Sequence, residues 1–194
     1  MNFHPTELEG VLLIEPKVHS DLRGYFLETY NEKTFANVGI AERFVQDNQS
    51  HSRKGVLRGM HYQVENPQGK LIRALHGEIF DVAVDIRPDS KAFGRWVGVR
   101  LSSAEQGMIW IPKGYAHGFY TLSETADVAY KVTEFYVPEQ ERTLLWSDPE
   151  VGVRWPFEGE PILSEKDRAG HLLKHMKEYF HKVPSAGSRN APCE

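Results

Sequence analysis

Residues 78–86 read EIFDVAVDI, in which Ile79, Val82, Val84 and Ile86 join Phe80 and Ala83 in a nearly continuous apolar run. A run of that kind, rich in β-branched residues, predicts a strand covered on both faces. Comparable short runs lie on either side of it. Toward the amino terminus stand VLLIE (11–15), GYFLETY (24–30), RFVQDNQS (43–50), GVLRGMHYQ (55–63) and KLIRALHG (70–77). Toward the carboxy terminus stand RWVGVRL (95–101), GMIWIP (107–112), HGFYTL (117–122) and ADVAYKVTEFYV (126–137). They recur at intervals of about 8 to 14 residues and are punctuated by Gly, Pro, Asn, Asp and Ser, which predicts an all-β antiparallel sandwich or barrel.

Helices are expected to be few, short and peripheral. One is placed near NEKTFANVG (31–39) with Asn31 as its cap, and another over residues 170–181, where Leu172, Leu173, Met176 and Phe180 recur at helical spacing. Residues 1–181 are read as a single domain and 182–194, KVPSAGSRNAPCE, as a disordered tail.

The bulk properties agree with one core: 194 residues, 40% hydrophobic and 26% charged. A net charge of -4 and a pI near 6.1 argue against broad nucleic-acid binding, which shows a basic stripe or a basic domain. A small anionic ligand needs only a few converging cations. No run of about 18 apolar residues is present, and the start MNFHPTELEG lacks the basic and apolar blocks of a signal peptide, so a cytoplasmic protein is expected. The single cysteine, Cys193, excludes an internal disulfide.

Three stretches carry groups capable of chemistry. GVLRGMHYQ places Arg58, His61 and Gln63 on one strand, with Lys70 and Arg73 following after PQG. These residues form either a solvated face or the wall of a site. Strict alternation would send Arg58 and His61 to opposite faces, unless Gly59 marks a bulge that resets the phase. In IPKGYAHGFYTL, Pro112 and Gly114 force a turn before His117, whose role is either structural or chemical. In ILSEKDR, Ser164 could cap a short turn, and Asp167 is a cap, a surface charge or part of a site.

Two spacings, G-x5-H in GVLRGMH and P-x-G-x-x-H in PKGYAH, are similar to the half-motifs of the cupin barrels. Metal-holding cupins add a histidine two residues after the first, a glutamate and a final histidine. Here Tyr62 and Gln63 follow His61, so no metal and no other cofactor is expected.

A wider set resembles the dTDP-4-dehydrorhamnose 3,5-epimerases: DLRGYFLETYNEKTF, FVQDNQSHSRKGVLRGMHYQ, PQGKLIRALHGEIFDVAVDIRPDSKAFGRWVGVRLS, WIPKGYAHGFYTLSETADVAYK, WSDPEVGVRWP and ILSEKDR. The resemblance spans roughly residues 5 to 175 and implies a cupin-like jelly roll. It implies proton abstraction and return at carbons 3 and 5 of dTDP-4-dehydro-6-deoxy-D-glucose. In that scheme His61 is the base, Asp167 its orienting carboxylate, Lys70 the cation on the carbon-4 oxygen, and Tyr130 the acid of the opposite face, with Tyr136 a rival for that role. Arg23 and Arg58 would bind the diphosphate. Phe26 would stack on the thymine, Glu28, Gln46, Asn48 and Glu141 would bond to it, and His117 would touch the ligand. The resemblance also implies a homodimer that exchanges amino-terminal strands, so that residues near Arg23 reach the partner's site. A one-carbon epimerase, a keto-sugar isomerase and a non-catalytic sugar-nucleotide-binding barrel are the alternatives.

Overall fold

The computed structural model describes residues 1–157 and 159–178. Phe180 of the second expected helix and the expected tail 182–194 lie outside these residues. Among the described residues the strands are β1 (Asn2–Pro5), β2 (Leu12–Glu15), β3 (Val18–Asp21), β4 (Gly24–Leu27), β5 (Gln46–Arg53), β6 (Leu57–Gln63), β7 (Lys70–His76), β8 (Glu78–Asp85), β9 (Trp96–Ser102), β10 (Met108–Ile111), β11 (Tyr115–Thr121), β12 (Thr125–Val132) and β13 (Glu141–Thr143). Two short helices join them, α1 (Glu32–Ala36) and α2 (Glu165–Arg168).

Six strands form one sheet in the order β1-β2-β10-β7-β12-β5, and five form another in the order β13-β6-β11-β8-β9, while β3 and β4 make a separate hairpin. The two sheets pack face to face as a jelly-roll sandwich. Ile72, Ile109, Ile111, Ala126 and Val128 from the first meet Ile79, Ala83, Leu101, Tyr115 and Phe119 from the second in one buried cluster. Each such aliphatic side chain removed from water contributes roughly 1.5–3 kcal/mol.

Both sheets are also covered outside. Phe35 of α1 packs with Ile14, Leu71, Met108 and Trp110 on the six-stranded sheet. Leu144, Val151, Leu173 and Met176 lie over Val82, Val84 and Ile86 on the five-stranded one. Strand β8 therefore turns Ile79 and Ala83 inward and Val82 and Val84 toward the outer layer, all fully buried, which accounts for its lack of a polar face.

Asn31 caps α1, its side chain accepting from the backbone N–H groups of Lys33 and Thr34. The second expected helix is instead a 3-10 helix over Leu173–Glu178. Its two buried anchors, Leu173 and Met176, stand three residues apart, a spacing that aligns on a three-residue turn.

Of the two arrangements open for β6, strict alternation or a bulge at Gly59, the structure has the bulge. His61 lies opposite His117 and Arg58 opposite Phe119, so three steps along β6 span two along β11. Gly59 adopts φ +117, and a Cβ there would sit 2.6 Å from the Gly118 Cα and 2.7 Å from the His117 carbonyl oxygen. Only a residue without a side chain lets the two strands approach so closely. The extra residue shifts the pleat, so Arg58 and His61 line the same cavity.

Candidate active site

That cavity, about 360 Å³, opens between the two sheets. The five-stranded sheet supplies His61 and Gln63 from β6, His117 and Phe119 from β11 and Glu141 from β13; the six-stranded sheet supplies Gln46, Asn48 and Ser50 from β5, Lys70 from β7 and Tyr130 from β12. Arg58 and Tyr62, also of β6, complete the wall with Gln68 and Tyr136.

His61 is held by Asp167, whose Oδ1 lies 2.6 Å from Nε2. Burial alone would raise the Asp167 pKa. Hydrogen bonds from His61 and Ser164 and from the backbone of Gly59, with the attraction of His61, outweigh it and hold the carboxyl below its ordinary range. An ionised carboxylate can only accept, so Nε2 carries the ring proton and Nδ1 keeps its lone pair. Burial lowers the His61 pKa against the opposing pull of Asp167, with Lys166 and Lys70 adding to the fall. The resting ring is a neutral base.

Lys70 is buried and donates to the His61 carbonyl at 3.1 Å. Desolvation brings its pKa down to about 8, against the pull of Glu141 and Asp81. His117 Nε2 lies 2.8 Å from Oδ2 of Asp81, a wholly buried side chain, so the imidazole beside the cavity is hydrogen-bonded from behind. On the opposite sheet, burial and the Glu141 charge raise the Tyr130 pKa and keep its phenol protonated. Tyr136 donates to Glu141 at 2.6 Å, and that bond pushes its pKa to about 12.

Arg58 crosses between the sheets. Its Nε donates to Ser52 Oγ at 2.9 Å and its Nη2 to the His51 carbonyl at 3.1 Å, both on β5. Gln46 Nε2 donates to Asn48 Oδ1 at 2.8 Å, while Gln46 Oε1 accepts from the Tyr136 backbone N–H at 3.1 Å.

Three expected site residues are not brought to this cavity within one chain. Arg23 pairs with Asp21 on the β3–β4 turn, with most of its side chain in solvent. Phe26 is 71% exposed, and Glu28 accepts from Asn31 Nδ2 at 3.0 Å beside α1. The physical reason is the separation of the hairpin from both sheets.

Lys166 was not among the expected residues. Its Nζ lies 2.5 Å from Glu141 Oε2, and Glu141 Oε1 in turn stands 3.9 Å from His61 Nδ1. The signal was its place in SEKDR, one residue before Asp167, on the same turn of α2. Among the described residues no group of three or more His, Cys, Asp and Glu side chains is arranged to hold a metal ion.

A neutral imidazole with its carboxylate, a buried lysine and a facing phenol are the kinds of group that abstraction and return of a proton beside a carbonyl would use. The chain is 53% identical to the dTDP-4-dehydrorhamnose 3,5-epimerase of Methanothermobacter thermautotrophicus, over 92% of this chain and 97% of that protein. It is 54% identical to the Pseudomonas aeruginosa enzyme of the same name, over 84% and 91%. A crystal structure of the Legionella pneumophila dTDP-6-deoxy-D-glucose-3,5-epimerase in complex with dTDP-4-keto-L-rhamnose superposes with a TM-score of 0.87, at 50% identity over 89% and 93% of the two chains. The model of the dTDP-4-dehydrorhamnose 3,5-epimerase family matches residues 5–175, and this chain belongs to that family.

Proposed function

We propose that this chain is an isomerase that inverts carbons 3 and 5 of dTDP-4-dehydro-6-deoxy-D-glucose, yielding dTDP-4-dehydro-L-rhamnose. The observation that carries the reading is the placing of the His61–Asp167 pair and of Tyr130 on opposite sheets around one cavity. Inversion needs two faces, because a base that returned its own proton to the same side would regenerate the starting isomer.

In the proposed step, His61 Nδ1 removes the proton beside the ketone and becomes an imidazolium stabilised by Asp167. The electron pair moves onto the carbon-4 oxygen, where the Lys70 ammonium meets it; removing one such preorganised donor typically costs on the order of a hundredfold or more in rate. Tyr130 then delivers its phenolic proton to the other face of the carbon. Water restores both groups. Arg58, His117, Gln46, Asn48, Glu141 and Tyr136 are proposed to hold the rest of the ligand, with the Arg58 guanidinium on the diphosphate.

The thymine end is proposed to need a second subunit. Strand β5 is an open edge of its sheet and carries Gln46 and Asn48 into the cavity. The β3–β4 hairpin, with Leu22, Tyr25 and Phe26 largely exposed and Tyr25 bonded to Gln106 at 3.0 Å, is proposed to lie along a partner and carry Arg23, Phe26 and Glu28 to its site. The expected homodimer with exchanged amino-terminal segments has that geometry. No described helix is long and apolar enough to cross a membrane.

Incubation with the 4-keto-6-deoxy substrate in deuterated water, with a chelator present, tests the reaction. Deuterium is expected at both carbons 3 and 5. Label at one carbon alone would instead indicate a one-carbon epimerase, and no label would leave a different substrate or a binding protein.

A further inference from the structure

The S-x-x-D spacing of Ser164 and Asp167 is that of a capping box, in which a side chain at the third helical position ordinarily turns back to the backbone N–H of the cap. Half of that pattern is present: Ser164 Oγ accepts from the Asp167 backbone N–H at 3.1 Å and starts α2. The other half is altered. The Ser164 hydroxyl donates to Asp167 Oδ2 at 2.7 Å, while Oδ1 bonds the His61 ring at 2.6 Å. One hydroxyl therefore ties both the backbone and the carboxylate of the same aspartate.

A carboxylate on a Cβ–Cγ bond can rotate; besides His61, the Gly59 backbone also bonds Asp167, and the Ser164 hydroxyl adds the bond that fixes Oδ2. With Oδ2 anchored, the plane of the carboxylate is set independently of its partner, and Oδ1 is aimed at Nε2 before substrate arrives. The bond also stabilises the ionised form, since hydrogen bonds to charged groups are roughly twice as strong as those between neutral ones. Ser164 itself lies at the exposed end of the helix, outside the cavity lining.

We infer that Ser164 is a positioning residue of the reaction, acting through Asp167 to hold the His61 ring with Nδ1 toward the substrate; the inference rests on the function proposed above. Its role as a helix cap is separable from its role on the carboxylate. Glycine caps a helix almost as well as serine, so Ser164→Gly removes the hydroxyl at little cost to α2, and Ser164→Thr restores it.

The experiment combines steady-state epimerisation with proton NMR of the free enzyme, reading the low-field signal of the His61 Nε2–H. Ser164→Gly is expected to lower kcat about tenfold with KM within about twofold, and to move the ring-proton signal upfield. Ser164→Thr should recover both, and adding Ser164→Gly to Asp167→Ala should cost nothing further. An unchanged kcat and ring signal in Ser164→Gly would overturn the proposal, as would an undiminished further loss in the Asp167→Ala background. If the wild-type enzyme failed to turn over the substrate, the proposed function would fall, while the ring signal, read without substrate, would still decide whether Ser164 orders the pair.

Discussion

His61 meets two opposed demands. Burial favours the neutral ring that can accept a proton, whereas the imidazolium of the proposed step needs a counter-ion close by. Asp167 at 2.6 Å satisfies the second without abolishing the first. Because the two act as a unit, His61→Ala and Asp167→Ala should each cut kcat by roughly a thousandfold or more, and the double variant should be little worse than either single one. Tyr130→Phe should leave deuterium exchange by His61 measurable at one carbon while impairing inversion at both. Full epimerisation by that variant would pass the acid role to Tyr136 or to water.

The pH dependence follows from the same groups. The base works only when unprotonated, so kcat/KM should rise with pH through the lowered His61 pKa and fall again near 8, where Lys70 loses its charge. Lys70 also affects stability, and the sign is opposite to that of an ordinary ion pair. Its folded pKa of about 8 lies below the value of 10.5 for an unburied lysine, so the unfolded chain binds more protons across that interval. Stability therefore increases as pH rises from about 8 to 10.5. Lys70→Met should raise stability at neutral pH by roughly 1–3 kcal/mol in chemical denaturation while nearly abolishing turnover, since a buried charge is exchanged for an apolar chain of similar length. At this scale His61, Lys70, Tyr130 and Asp167 were named through the resemblance of their motifs, and the structure gathers the first three at one cavity with Asp167 behind the His61 ring. Lys166 and the second role of Ser164 were not named, because each depends on which carboxylate oxygen a short helix turns toward.

Among elements, β6 shows best how the fold builds the site. Without the bulge, Arg58 and His61 would face opposite ways; with it, the guanidinium and the imidazole share a cavity. Gly59→Ala should therefore act on both levels. The methyl would press on the Gly118 Cα and the His117 carbonyl oxygen in a backbone conformation that alanine resists, at a cost of roughly 2–4 kcal/mol in denaturant unfolding, and it should shift His61 away from Asp167 and lower kcat. The bulge was legible as an alternative from the glycine and the three-residue spacing. The long strands were legible as well, because each buries one face or two. β1 and β3 were not, and β13 was missed too: at three or four residues each they are too short to show a period, and they are strands only because a neighbour supplies the pairing. The 3-10 turn over Leu173–Glu178 was read as an α-helix because its apolar residues fit either spacing until packing selects two anchors three apart.

At the scale of the whole molecule, the β3–β4 hairpin is the element on which the proposed exchange between two chains turns. It belongs to neither sheet, leaves Phe26 71% exposed, and carries Arg23, which the resemblance assigns to the ligand, away from its own cavity. A same-chain and a cross-chain arrangement differ in one consequence that mixing can read. Arg23→Ala lacks the cation but keeps His61, and His61→Ala lacks the base but keeps the cation; each should be nearly inactive as a homodimer at substrate concentrations below KM. In a mixed dimer with exchanged hairpins, the cavity that retains His61 receives an intact Arg23 from its partner, and the other cavity is doubly defective. Random pairing makes half of the dimers mixed, and half of their sites are whole, so co-expression of the two variants should restore roughly a quarter of wild-type activity. If Arg23 served its own chain, every cavity in every dimer would carry a defect and co-expression would restore nothing.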